Sequence, residues 1–141
     1  MHAVVIYESL TGNTRRAAVL IGTTLHRAGV TATVCPVTRV DNQALSAADL
    51  VVVGSWTDGF VFFGQRPGRS SRLRSLPVMH GKRAAVFCTY AIDQGRALDK
   101  LADIVRERGA DVLGGMAIRR DDIEGGVSEF VDRVLDVVAP A

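Results

Sequence analysis

Along this chain the spacing of apolar positions switches repeatedly between a period of two and a period near three and a half. His2 to Tyr7 is a short β-branched run, and the segment after it places Ala18, Ile21, Leu25 and Ala28 three and four residues apart, as on one helix face. Gly29 suits a left-handed helix stop, and Val30 to Val37 reads as a second strand that closes near Pro36. Asp41 is placed to cap a short helix running through Ala48. Leu50-Val51-Val52-Val53 is apolar on both faces, as a central parallel strand must be. From Trp56 to Gly81 the composition turns to Gly, Arg, Ser and Pro, and only a short helix around Ser70 to Leu76 is legible. Ala84 to Cys88 forms a fourth strand, followed by a helix presenting Ala97, Leu98, Leu101, Ile104 and Val105 that stops at Gly109. A fifth strand covers Asp111 to Ile118, and the last helix carries Val127, Val131, Val134 and Val138 on one face. Five such alternations, with crossovers long enough for right-handed βαβ units, predict a doubly wound parallel sheet in one domain spanning residues 1–141.

Composition narrows the class. A 48% hydrophobic and 23% charged chain has the makings of a packed core, and no apolar run approaches the roughly 18 residues of a membrane span. The N-terminus MHAVVIYESL has no basic region, apolar core or cleavage site of a signal peptide, so a cytoplasmic protein is expected. Cys35 and Cys88 have no CxxC spacing, and His2, His26 and His80 no ligand spacing, which predicts free thiols and no metal site. The net charge of +2 is unevenly spread: between Asp58 and Asp93 there is no acidic residue, while Arg66, Arg69, Arg72, Arg74, Lys82 and Arg83 all fall there. Without these six, 11 basic residues face 15 acidic ones. The segment lacks the interleaved aromatics of a nucleic-acid surface.

An open sheet of this kind binds ligands outside the carboxyl ends of its strands, where strand order reverses. That directs attention to residues 8–14, 55–64, 89–95 and 119–125. The first loop combines the hydroxyls of Ser9, Thr11 and Thr14 with Gly12 and Asn13, directly before a helix. The hydroxyls and the free N–H groups of a first helical turn suit a phosphate monoester, and Gly12 lets the backbone approach it closely. No lysine stands in the loop as in a Walker P-loop, and there is no GxGxxG. Such a turn also caps ordinary helices, so alone it predicts only a phosphate site or a cap. Arg15 and Arg16 oppose the helix dipole and either attend an anion or are solvated. The second loop brings Ser55, Trp56, Thr57, Asp58 and Gly59, and Trp56 is the one tryptophan of the chain. A large ring at a strand end calls for a flat surface to pack on, which an isoalloxazine supplies.

The segments YESLTGNTRRAA, DLVVVGSWTDG and AAVFCTY, read in order, resemble the flavodoxin family across nearly the whole chain, at the length of its short-chain members. The resemblance implies a flavodoxin-like α/β fold: a five-stranded parallel sheet of order 2-1-3-4-5 with helices on both faces. It further implies a non-covalently bound FMN and electron transfer to a redox partner protein. By position, Ser9, Thr11, Gly12, Asn13 and Thr14 would hold the phosphate, Ser55, Trp56, Thr57, Asp58 and Gly59 would contact the ring, and Thr89, Tyr90 and Asp93 would follow. Three departures stand out. Thr57 occupies the place where the family has a glycine whose peptide flips toward the flavin N5, with Gly59 two residues on. The third loop reads Phe87-Cys88-Thr89-Tyr90-Ala91, without the family's F-G-x-G-D. The family's strongly acidic surface is also missing, so an acidic partner, ferredoxin-like or a reductase, is expected at the basic segment unless that segment is merely solvated.

The remaining residues are assigned to structure. Phe60, Phe62 and Phe63 either form a lip beside the ring or pack under the loop, with packing favoured. Cys88 reads as a small buried hydrophobe, and Asp93 caps the next helix, touches FMN, or does both. Two alternatives accompany the carrier reading. One is an FMN-dependent oxidoreductase of quinone or protoporphyrinogen type; the other is a flavin-free domain binding a different phosphate ligand. A phospho-receiver is disfavoured, since it needs acidic residues at the ends of strands one and three, where Glu8 is followed only by Gly54 and Ser55.

Overall fold

The protein is described here from a computed structural model covering residues 1–58, 65–93 and 95–138. Gly59 of the candidate site and Phe60, Phe62 and Phe63 therefore lie outside the described residues.

The chain runs β1 (His2–Tyr7), α1 (Asn13–Arg27), β2 (Thr31–Pro36), a 3-10 turn (Val37–Arg39), α2 (Asn42–Ala47), β3 (Leu50–Asp58) and β4 (Arg66–Pro67). It continues with α3 (Ser70–Arg74), β5 (Arg83–Tyr90), α4 (Ala97–Glu107), β6 (Asp111–Arg119) and α5 (Ile123–Val138). The sheet order is β2-β1-β3-β5-β6, and these five strands are all parallel. This is the expected 2-1-3-4-5 arrangement, with the two-residue β4 added as an antiparallel partner of the end of β3.

Alternation within the strands explains why helices cover both faces. Val4 and Ile6 of β1, Val51 and Val53 of β3, and Val86 of β5 pack with Leu101 and Val105 of α4. Their neighbours Val5, Val52, Ala85 and Phe87 point the other way, onto Ile21 and Leu25 of α1 and Val127, Phe130 and Val131 of α5. Both sides of β1, β3 and β5 leave water, so a continuous apolar run forms a strand without an amphipathic signature. The Asp41 carboxylate accepts a hydrogen bond from the Ala44 amide at 2.9 Å, as the capping expectation required.

Two elements differ from expectation, both beyond the sheet's upper edge. β3 does not end at Val53 but continues through Gly54, Ser55, Trp56, Thr57 and Asp58. These polar residues stay extended because each side has a backbone partner: Trp56 aligns with Thr89 of β5, Thr57 with Pro67 and Asp58 with Arg66. β4 has no hydrophobic pattern; its pairing with β3 is joined by the Ser70 hydroxyl, which donates to the Pro67 carbonyl at 2.7 Å. Among the described residues no helix is long and apolar enough to cross a membrane, and no group of side chains is suited to a metal ion.

Candidate functional site

The Glu8 amide donates to the Gly54 carbonyl at 2.9 Å, carrying the β1–β3 pairing one residue past the strand. The chain then turns through Ser9-Leu10-Thr11 into Gly12, whose φ of 99° is a left-handed conformation that a side chain disfavours. Ser9 Oγ braces the turn by accepting from the amides of Gly12 at 3.2 Å and Arg15 at 3.3 Å. Asn13 Nδ2 donates to Thr11 Oγ1 at 3.4 Å. The first-turn amides of Asn13 and Thr14 have no intrahelical acceptor by helix geometry, and no acidic residue stands in that turn. Thr14 is buried, and its hydroxyl meets that of Thr89 at 2.8 Å, joining the first loop to the end of β5.

One cleft of about 220 Å³ collects these groups. Thr11, Asn13 and Thr14 line it from the first loop, Trp56 and Thr57 from the end of β3, Thr89 and Tyr90 from the end of β5, and Arg120 from the β6–α5 turn. Thr57 Oγ1 is buried without a hydrogen-bond partner among the described residues. Such a hydroxyl is costly unless something in the cleft satisfies it. Arg120 carries the one formal charge among the described residues lining the cleft. Its own amide donates to the Tyr90 carbonyl at 2.9 Å. Its neighbour Arg119 grips Asp121 through two hydrogen bonds, at 3.0 and 2.9 Å, and holds that carboxyl below the usual carboxylate range.

Seven of the sequence candidates thus meet in one place: Thr11, Asn13, Thr14, Trp56, Thr57, Thr89 and Tyr90. Ser9 and Gly12 shape the first loop. Ser55 is fully buried and donates to the Gly68 carbonyl at 2.9 Å, so it fixes the β4 turn. Asp58 pairs with Arg66 at 3.4 Å. Asp93 does not line the cleft: its side chain accepts from the Gly95 amide at 3.2 Å and its carbonyl from Gln65 Nε2 at 2.8 Å. The helix cap expected at Asp93 falls instead on Arg96.

The sequence reading missed Arg120, although its loop is one of the four that the fold directs at a ligand. It also missed how the basic segment is used. Arg69 and Arg72 both donate to Glu8 Oε1, at 2.7 and 3.2 Å, and the Glu8 side chain is only 4% exposed. Lys82 Nζ donates to the Ser46 and Ala48 carbonyls at the end of α2. Much of the positive charge is therefore committed within the fold. The Trp56 ring lies against the Gly68 backbone, with the Arg69 guanidinium 5.6 Å from its centroid. A second groove lies at Trp56, where Arg66, Arg69, Arg74 and Lys100 alternate with Asp58, Asp103 and Glu107.

The family model described as flavodoxin domain matches residues 4–115, from β1 into β6. This chain belongs to the flavodoxin domain family. Among solved structures, this flavodoxin-family chain is similar to the two-electron reduced flavodoxin of Megasphaera elsdenii, with a TM-score of 0.75 and 18% identity over 95% of this chain and 98% of that one. It is similar to the flavodoxin of Streptococcus pneumonia TIGR4, with a TM-score of 0.72 and 23% identity over 98% and 100% of the two chains. The oxidised Flavodoxin 1 of Bacillus cereus gives a TM-score of 0.70 and 23% identity over 99% and 100%. At these identities the structures establish a shared fold. No curated protein sequence matches the chain.

Proposed function

We propose that this protein binds FMN non-covalently in the cleft between the three strand-end loops and carries electrons between redox partner proteins. The observation that carries the reading is convergence. A helix N-terminus without acidic residues, a buried hydroxyl lacking a partner, the only tryptophan and one arginine all line a single cleft. FMN needs such donors for its phosphate, a ring surface for its isoalloxazine, and a polar contact at the ring edge.

Bound FMN would supply one- and two-electron redox chemistry; the chain's own residues position it. The amides of Asn13 and Thr14 and the hydroxyls of Thr11 and Thr14 would take phosphate oxygens. Trp56 would offer the stacking face, with Tyr90 as a second ring, and the Thr57 hydroxyl would gain its missing partner. Arg120 would offset negative charge in an otherwise uncharged cleft. The partner class is a redox protein, ferredoxin-like or a reductase. An acidic patch of modest size fits the groove at Trp56, since Arg66, Arg74 and Lys100 there are interleaved with acids. Two free, buried cysteines fit work in the reducing cytoplasm.

The test is titration of the apoprotein with FMN while flavin and Trp56 fluorescence are followed. Mutual quenching with one-to-one saturation is expected. Absence of saturable binding overturns the reading, and turnover of NADH or NADPH with a quinone, without a partner reductase, would favour an oxidoreductase instead.

A further inference from the structure

Among the described residues Arg69 is the one non-glycine residue with a left-handed backbone, at φ 50° and ψ 51°. An arginine gains nothing from that conformation, which glycine or asparagine adopts at less cost. Its side chain, however, makes two contacts that no other residue of the turn can combine. Nη1 donates to the buried Glu8 carboxylate at 2.7 Å, and the guanidinium carbon lies 5.6 Å from the Trp56 ring centroid. Glu8 directly precedes the phosphate-type loop, and Trp56 is the ring of the opposite wall. The turn bearing Arg69 is fastened to the same wall, because the Gly68 amide donates to the Trp56 carbonyl at 2.8 Å and Ser55 Oγ to the Gly68 carbonyl at 2.9 Å.

We infer that Arg69 is a positioning residue that sets the orientation of the Trp56 ring and couples it, through Glu8, to the first loop. A planar guanidinium suits this role: it stacks on an aromatic face while its edge donates to a carboxylate, a combination unavailable to lysine. Arg72 shares Glu8 at 3.2 Å, but it is not the cation over the ring. Arg72 therefore serves as the internal control. The inference deepens the FMN reading and rests on it only for the binding arm of the test.

Because Trp56 is the sole tryptophan, the tryptophan fine structure of the near-UV circular dichroism spectrum reports this ring alone, with no ligand present. Arg69→Met keeps most of the stem and removes the charge. In the folded variant the tryptophan fine structure is expected to weaken and FMN affinity to fall about tenfold. Arg69→Lys should recover the pairing with Glu8 but only part of the ring signal. Arg72→Met should leave the ring signal as in the unsubstituted protein. If Arg69→Met does not fold, Arg69→Lys alone decides by the same signal. An unchanged tryptophan signal in the folded Arg69 variants, or an equal loss in Arg72→Met, overturns the inference. Failure of the unsubstituted protein to bind FMN overturns the proposed function and leaves the ligand-free comparison intact.

Discussion

Gly68→Ala separates the packing of Trp56 from every other feature of the cleft. Gly68 does not lie in the left-handed region, so alanine is compatible with its backbone. The added Cβ, however, would fall inside the van der Waals surface of Trp56 at Cε2, Cδ2 and Cζ2. Restoring a carbon–carbon contact of roughly 3.5 Å requires the ring to withdraw by more than about 1 Å or the turn to peel from β3. Peeling would break the Gly68–Trp56 and Ser55–Gly68 hydrogen bonds, so the half-buried ring is the part that yields. Overpacking costs about 1–3 kcal/mol in a closed core, and a ring free to swing outward places the stability loss near 1 kcal/mol. Losing an aligned aromatic stack removes about 0.5–1.5 kcal/mol from binding, a quantity separate from the folding loss, so FMN should bind roughly fivefold more weakly, equivalent to about 1 kcal/mol. Fluorescence titration with FMN, alongside urea unfolding, measures both quantities. Gly114→Ala is the matched control, since its added Cβ meets nothing within 4 Å and should leave affinity unchanged. Binding by Gly68→Ala within about twofold of the unsubstituted protein would refute the packing argument.

Three further outcomes are expected. Arg120→Ala should weaken FMN by about three- to tenfold at low salt while barely changing riboflavin, which lacks the phosphate; an equal loss for both ligands, read in parallel titrations, would place Arg120 away from the phosphate. Thr14→Val removes one of two paired buried hydroxyls and should lower unfolding stability by about 1–3 kcal/mol, and adding Thr89→Val should recover part of this loss in the same denaturation assay. Burial pushes the Cys88 thiol from 9.0 up to about 12, so it should resist alkylation in the native protein at mildly alkaline pH. Its contribution is complete below pH 9.0, where the thiol is protonated folded or unfolded; as pH rises from there toward about 12 only the unfolded chain ionises, so stability should fall. Cys88→Ala should flatten that part of the pH–stability curve.

The legible parts of this protein are those whose cause is local. β1 and β3 are written as β-branched runs, α1 as a three-and-four spacing, and the first loop as hydroxyls around one glycine. Trp56 drew attention because a ring at a strand end is out of place unless something stacks on it. The illegible parts depend on partners far along the chain. Glu8 finds Arg69 and Arg72 61 and 64 residues away, and neither end signals the other. The polar half of β3 reads as a loop because its strand character comes from pairing with Arg66 and Pro67, not from its own side chains. Gly68 looks like one more glycine in a glycine- and arginine-rich stretch until the indole is seen against it. Arg120 was hidden between Arg119 and Asp121, whose mutual ion pair gives the turn an ordinary surface appearance.

Trp56 borders both the cleft of the first loop and the charged groove beside α3 and α4. An indole that lines two clefts is a shared boundary, and displacing it from one side alters the space available on the other. Thermodynamic reciprocity then applies: a partner that gains contact with the ring only when the cleft is filled must, by the same factor, tighten whatever fills the cleft. Loading and delivery would be linked through a single side chain, without any movement of the sheet.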